Sequence, residues 1–257
     1  MPDSNCLNVN HLTVCYDRKP ALWEAQVSIP QGTMTGIVGP NGAGKSTFLK
    51  AILDLIPATS GSVKFFGEDY RKVRHRIAYV PQRESVDWDY PISAREVVVM
   101  GRYRSIGLFR RVSREDRRKA DEALDRVGML DRADSQIGSL SGGQQQRVFL
   151  ARALVQEADL YLMDEPFAGI DATTERVILE LMRDLRESGA SLVCVHHDLP
   201  TVADYFDHLV LLNLRVVASG AMNEVFTREQ LTQCYGGRLD LLSKLADSLA
   251  KLEALRS

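Results

Sequence analysis

Gly39-Pro40-Asn41-Gly42-Ala43-Gly44-Lys45-Ser46 satisfies G-x-x-x-x-G-K-[ST] at every fixed position. Thr35-Gly36-Ile37-Val38 before it is short and largely apolar, as a buried strand is. Ser46 to Ile56 after it carries apolar residues at Phe48, Leu49, Ile52 and Leu53, the spacing of one helix face. Strand, glycine-rich loop and helix start together make a phosphate cradle. Glycine admits unusual backbone dihedrals, the loop N–H groups can turn inward, and the new helix points its positive end at the anion. In such a cradle Lys45 reaches the β- and γ-phosphates, the Ser46 hydroxyl meets Mg²⁺ and Thr47 the α-phosphate.

The whole chain sets bounds on the rest. At 257 residues it can bury a real core as one large domain or a domain with a subdomain. A formal net charge of -2 gives no global attraction to nucleic acid or anionic lipid, so any such contact needs a local patch. Cys6, Cys15, Cys194 and Cys234 are scattered without a C-x-x-C pair, which argues against a zinc site or disulfide framework and suits a reducing cytosol. Met1 to Asn10 lacks the basic start and apolar run of a secretory signal. No apolar run reaches the roughly 18 residues of a spanning helix, so membrane work would need another anchor.

Leu7 to Tyr16 and Ala25 to Ile29 alternate apolar and polar residues as half-exposed strands do, with a turn over Tyr16 to Pro20. Gly61 to Gly67 and Ile77 to Val80 read as further strands. From Ile92 to Leu130 the pattern becomes helical, with Ser93 as one cap and Ser113 with Asp116 as a capping pair for a helix to Val127. Apolar strands over Asp159 to Met163, Ser191 to Val195 and His208 to Asn213 then alternate with helices over Gln144 to Gln156 and Thr173 to Glu187. That alternation predicts an α/β fold with a parallel sheet covered by helices. Asp240 to Arg256 carries a leucine stripe (Leu241, Leu242, Leu245, Leu249, Leu252, Leu255) and reads as an amphipathic helix that packs on its own domain or docks a partner.

Two further motifs narrow the chemistry. Asp159 to Met163 is an apolar strand ending in Asp164 and Glu165, where the first carboxylate can hold Mg²⁺ and the second can polarise an attacking water. Leu140-Ser141-Gly142-Gly143-Gln144 opens a helix with a serine and two glycines, a second anion-binding terminus in one chain. One nucleotide does not need two such cradles from a single chain. With these residues the chain resembles the nucleotide-binding subunit of ATP-binding-cassette transporters, whose signature is Leu-Ser-Gly-Gly-Gln; the resemblance covers roughly Leu7 to Gly236.

The resemblance implies a P-loop NTPase core of RecA type, with an N-terminal antiparallel β subdomain and a helical signature subdomain at about 83–155. The ATPase domain would then occupy 1–236 and a helical extension 237–257. It implies ATP and Mg²⁺ as ligands, with adenine on Tyr16, phosphates on Gly39 to Thr47, and Gln82 touching Mg²⁺ and facing a membrane subunit. It makes Asp164 the Mg²⁺ aspartate, Glu165 the catalytic base, Asp171 part of a loop crossing a dimer and His197 the histidine at the γ-phosphate. His196 beside it reads as polar capping. Ser141, Gly142, Gly143 and Gln144 would contact ATP held by a second copy, so the working unit is a head-to-tail homodimer with two nucleotides between subunits.

Arg83 to Pro91 is rich in acids and aromatics (Glu84, Asp87, Trp88, Asp89, Tyr90) and resembles the same stretch in ATPases of manganese, zinc and iron importers. The resemblance implies a multi-span permease contacting 82–91, an extracytoplasmic metal-binding protein, and a peripheral place on the cytoplasmic face of the cell's inner membrane. The acids read as solvated residues in preference to a cargo-metal site. Another cargo, such as a metal chelate or cobalamin, stays open, as does a soluble cassette ATPase acting on DNA or ribosomes. The short span from Gln82 to Ser141, with no long coiled-coil insertion, and the single phosphate loop argue against the soluble class. A P-loop kinase leaves Ser141 to Gln144 unexplained. Arg102 to Lys119 holds eight basic residues against Glu115 and Asp116, a solvated face or a contact for headgroups or permease, with nucleic acid disfavoured as partner.

Overall fold

The computed structural model describes residues 4–17, 19–83, 88, 90–107, 110–236, 245 and 249. They form two compact units, residues 1–73 with 191–257 and residues 74–190. In the first unit β1 (Asn5–Tyr16) pairs antiparallel with β2 (Lys19–Pro30), setting Leu7 opposite Ile29 and Val9 opposite Val27. The turn is tighter than expected over 16–20. Tyr16 pairs with Lys19, so Lys19 and Pro20 belong to the ladder, and Asp17 turns left-handed at φ 45. Pro20 is tolerated because β2 is an edge strand, where a missing N–H breaks no central ladder.

Next come β3 (Met34–Val38), buried at all five positions, and α1 (Lys45–Ile52). This helix stops short of Ile56: Leu53 caps it and Asp54 turns left-handed at φ 57. β4 (Ser60–Phe65) completes the antiparallel sheet on the other side of β1, followed by the single turn α2 (Tyr70–Val73).

The second unit opens with β5 (Ile77–Val80), which runs parallel to β6 (Leu160–Asp164). Between them lie α3 (Ala94–Met100), α4 (Tyr103–Ile106), α5 (Arg114–Arg126) and α6 (Gly142–Leu154), and α7 (Ala172–Glu187) follows β6. Caps set their starts. Ser93 and Glu96, Ser113 and Asp116, and Ser141 and Gln144 each form a reciprocal capping box, which satisfies two orphan N–H groups at once. Asp171 caps α7, accepting from the N–H groups of Thr173 and Thr174 at 3.0 Å each. These bonds are also what hold its carboxyl below the usual carboxylate range, the Thr174 N–H first.

The chain returns to the first unit through β7 (Ser191–Val195), α8 (Leu199–Tyr205), β8 (His208–Asn213), β9 (Arg215–Ala221), α9 (Met222–Val225) and α10 (Arg228–Tyr235). β3 lies between β7 and β8 and is parallel to both, with Thr35 opposite Val193 and Gly36 opposite Leu209. β9 departs from the parallel expectation: it folds back antiparallel on β8 through a tight turn at Leu214, φ 58. Of the leucine stripe only Leu245 and Leu249 are described. Both are buried, and the N–H of Leu249 donates to the Leu245 carbonyl at 2.9 Å; the rest of that expected helix lies outside the described residues. Among the described residues no helix is long and apolar enough to cross a membrane.

Phe48 is 1% exposed on the buried face of α1, directly behind the glycine loop. Phe48→Ala leaves a ring-sized cavity there and is expected to lower the unfolding free energy by about 3–5 kcal/mol, read from urea titration.

Candidate functional site

In the first unit the glycine loop occupies residues 39–44, between the end of β3 and the start of α1. At two positions its path leaves no room for a side chain. A β carbon on Gly39 would stand 1.9 Å from the Leu212 carbonyl oxygen, and one on Gly44, at φ 92, 2.3 Å from the Ala21 carbonyl oxygen. The Ala43 N–H donates to Pro40 O at 3.1 Å to close the turn, and the Leu214 N–H donates to Ala43 O at 2.9 Å to tie it to the β8–β9 hairpin. Lys45 is buried and folds back over the loop, its Nζ donating to Gly39 O at 2.9 Å and Pro40 O at 3.2 Å. Asn41 and Gly42 face outward, and Ser46 and Thr47 are half-buried at the helix start. The result is a backbone cradle with one cation at its mouth, the chemistry a polyphosphate needs.

Pairing brings other expected residues to this loop. The N–H of His196 donates to Ile37 O at 3.0 Å, so β7 carries the histidine pair to the end of β3, where the loop begins. The two imidazoles then differ. His196 is 1% exposed, and its Nε2 lies 2.9 Å from Thr201 Oγ1. That hydroxyl donates to Asp198 O at 3.0 Å, which makes His196 Nε2 the protonated donor of the pair. Burial, with a smaller push from His197, lowers its pKa to about 4. His197 is exposed at the strand tip. Tyr16, 50% exposed, sits opposite Lys19 on the β1–β2 hairpin, whose Ala21 abuts Gly44.

The second unit gathers another set. Asp164 ends β6 and is buried, while Glu165, half-buried, adopts a left-handed backbone at φ 53 that is uncommon for a residue with a side chain. Gln82 Nε2 donates to Glu165 Oε2 at 3.4 Å. Tyr79 on β5 is pushed up to about 12 by burial, with a lesser contribution from the Asp164 charge. At the start of α6, Ser141 N donates to Gln144 Oε1 at 2.8 Å, and Gln144 N donates to Ser141 Oγ at 3.4 Å. A β carbon on Gly143 would lie 3.1 Å from Thr174 Oγ1 and 3.6 Å from Asp171 Oδ2, so Asp171 and the serine–glycine turn are neighbours.

The family model for the ABC transporter matches residues 22–168. This chain belongs to the ABC transporter family. It is 54% identical over 233 residues to the zinc transport system ATP-binding protein TroB of Treponema pallidum, covering 91% of this chain and 88% of that protein. It is 54% identical over 236 residues to the manganese transport system ATP-binding protein MntB of Bacillus subtilis, covering 92% and 94%. A solved ATP-binding subunit of an ABC transporter matches at a TM-score of 0.75 and 28% identity, over 93% of this chain and 98% of that one. The fold is that of a P-loop NTPase.

Several residues that shape this ABC chain gave no sequence signal. Arg83 Nε donates to Gln145 Oε1 at 3.0 Å, its guanidinium lies where a β carbon on Gly142 would meet it at 3.0 Å, and Trp88 Nε1 donates to Arg83 O at 3.0 Å. The residue after Gln82 is thus bonded into the signature helix. Gln145 completes the link through Nε2 to Ile137 O at 3.1 Å. In the first unit α10 backs the phosphate loop. Asn213 Nδ2 donates to Cys234 O at 2.8 Å, and the Cys234 thiol is pushed up to about 11 by burial despite the opposing charge of Lys45. Glu84, Asp87 and Asp89 lie outside the described residues. Among the described residues no three His, Cys, Asp or Glu side chains gather as a metal site.

The depressed pKa of His196 has a signed consequence. Unfolded, it takes a proton near pH 6.5; folded, only near 4, so between these values the unfolded state binds more protons and stability falls as pH falls. The full stabilisation is present above pH 6.5. Its loss by pH 4 is about 3 kcal/mol. Urea titrations across this window should show a shallower slope for His196→Gln than for the wild type by about that amount.

Proposed function

We propose that this chain is the ATP-hydrolysing subunit of an importer that carries a divalent metal ion, manganese or zinc, through a separate membrane permease. The observation that carries the reading is its 54% identity, over nine-tenths of its length, to ATP-binding proteins named for zinc and for manganese transport. The subunit works as a homodimer, bound peripherally at the cytoplasmic face of the inner membrane. An extracytoplasmic metal-binding protein delivers cargo to the permease, which meets this chain around residues 82–91.

The donors suit a nucleotide with Mg²⁺. The glycine loop has no space for a β carbon at Gly39 or Gly44, and Ser46, Gln82 and Asp164 offer only oxygen and amide groups, the hard donors Mg²⁺ prefers. When bound, Mg²⁺ would neutralise charge on the β- and γ-phosphates. Residues Gly39, Pro40, Asn41, Gly42, Ala43, Gly44, Lys45, Ser46 and Thr47 hold the phosphates, and Tyr16 stacks on the adenine. Lys45 leaves its loop carbonyls for phosphate oxygens, exchanging neutral acceptors for charged ones. Glu165 accepts the proton of the attacking water, oriented by Gln82, whose amide already bonds it, and by His197. Ser141, Gly142, Gly143 and Gln144 approach the γ-phosphate held by the second copy, and Asp171 steadies that turn from α7. Nucleotide is then the link between subunits, and loss of phosphate opens them.

Glu165→Gln keeps the shape and the Gln82 contact but removes the base. Turnover should drop by about 10²–10⁴-fold, while ATP still drives dimerisation on size-exclusion chromatography. An unchanged steady-state rate would remove Glu165 from the role. Cargo is tested separately: cells lacking this chain should lose uptake of radiolabelled Mn²⁺ or Zn²⁺ and regain it on complementation. Uptake of both ions unaltered by the deletion rules out the metal reading.

A further inference from the structure

The basic residues between 102 and 119 do not form one uniform face. Arg102 is mostly buried and its Nε donates to Asp116 Oδ1 at 3.2 Å. Arg118 is shared between Glu115 and Glu122, and Lys119 Nζ lies 2.7 Å from Glu157. These three serve the helices. Arg110, Arg111 and Arg117 instead bound a cavity of 510 Å³ that also has Tyr103, Ile106 and Val112 in its walls. Among the described residues none of the three makes an ion pair and no carboxylate lines the cavity; the Arg117 charge helps lower the pKa of Glu96.

Two neighbouring cavities show that this imbalance is local. One, of 430 Å³, sets Arg114, Arg117 and Arg118 against Asp121, Glu122 and Asp125. Another, of 340 Å³, sets Arg95 and Arg117 against Glu96 and Asp134. Of these three cavities the 510 Å³ one alone has no carboxylate among its described lining residues, although its Arg117 is shared with the other two. Three guanidinium groups around one concave space repel one another, and an anion in that space removes the cost.

The frame that holds them is firm. The Ser113 capping box fixes the first turn of α5, and Asp116, kept ionised below the usual range chiefly by the Ser113 hydroxyl and N–H, clamps Arg102. Ile106 is buried, Val112 half-buried, and Tyr103 half-exposed with a flat face and a hydroxyl. Planar guanidinium forks match phosphate oxygens in pairs, and the volume suits a small molecule better than a polypeptide segment.

We propose that the cavity bounded by Tyr103, Arg110, Arg111 and Arg117 binds a phosphate-bearing anion of two or more charges, in a different compact unit from the one that carries the phosphate loop. The same chemistry is presented by a free polyphosphate and by the headgroup of an anionic phospholipid. The inference stands on the cavity alone and does not depend on what the transporter carries.

The test uses full-length protein carrying Lys45→Ala, so that the phosphate loop contributes little. One arm titrates inorganic tripolyphosphate by calorimetry. The other sediments the protein with phosphatidylcholine vesicles, with and without phosphatidic acid. Saturable binding in either arm, weakened at least about tenfold by Arg110→Ala/Arg111→Ala/Arg117→Ala and unchanged by Arg118→Ala, supports the site. Binding of tripolyphosphate identifies a soluble ligand, and binding confined to phosphatidic acid vesicles a headgroup. Arg110→Ala/Arg111→Ala, outside the helices, replaces the triple variant if that one melts early. No binding in either arm, or equal binding by wild-type and substituted cavities, overturns the proposal.

Discussion

A triphosphate is held best by donors that are already in place, and the shape of the loop that would supply them depends on glycine at two positions. The Leu212 carbonyl stands where a β carbon of Gly39 would be, and the Ala21 carbonyl does the same at Gly44. These contacts come from β8 and β2, elements distant in sequence, so the loop's shape is imposed from outside as well as chosen by its glycines. The Leu214 N–H on Ala43 O and the packing of α10 behind Lys45 complete the mould. A loop whose shape is held from outside keeps its backbone dipoles fixed, the condition under which they stabilise developing charge most strongly.

The signature turn solves a related problem by other means. Ser141 and Gln144 satisfy each other across the first turn of α6, which keeps the side chains occupied and leaves the glycine backbone as the surface. Its two glycines are pinned from opposite sides, Gly142 by Arg83 and Gly143 by Thr174 and Asp171. Arg83 follows Gln82 directly, so adjacent residues bond Glu165 and the first turn of α6. The carboxylate and the signature helix are thus connected by a short run of contacts through one amide and one guanidinium within this unit.

What could be read before the structure was what depends on neighbours in sequence. The phosphate loop, the strand ending at Asp164, and the caps at Ser93 and Ser113 are local chemistry, and each lies where the pattern put it. Asp171 was legible as part of a loop by family resemblance but not as the cap of α7, since the expected helix began one residue later than it does. β9 was missed because its burial is shallow and shows no apolar alternation; the antiparallel partner β8 supplies its reason to exist. The turn after Tyr16 was drawn too wide because Pro20 reads as a breaker, although on an edge strand it breaks nothing. The two histidines were told apart by resemblance, with His196 read as polar capping, but its burial was not legible, because it comes from packing against Thr201, Tyr205 and Phe206.

Charge follows the same logic of placement over composition. A chain of net charge -2 has no field to speak of, yet it contains cations in three states. Lys45 is buried and held by carbonyls, a charge stored close to where a phosphate would claim it. Arg102 is largely buried and paired with a nearly buried aspartate that is itself bonded by Ser113, so its desolvation is offset and its job is to hold α5. Arg110 and Arg111 are exposed and line a cavity with Arg117 that has no carboxylate among its described lining residues. Pairing alone would have been easy to achieve there, since Glu96, Asp121 and Glu122 border the adjoining cavities. Among the described residues the cations are opposed by carboxylates in two of these cavities and not in the third, the asymmetry from which the anion site is proposed.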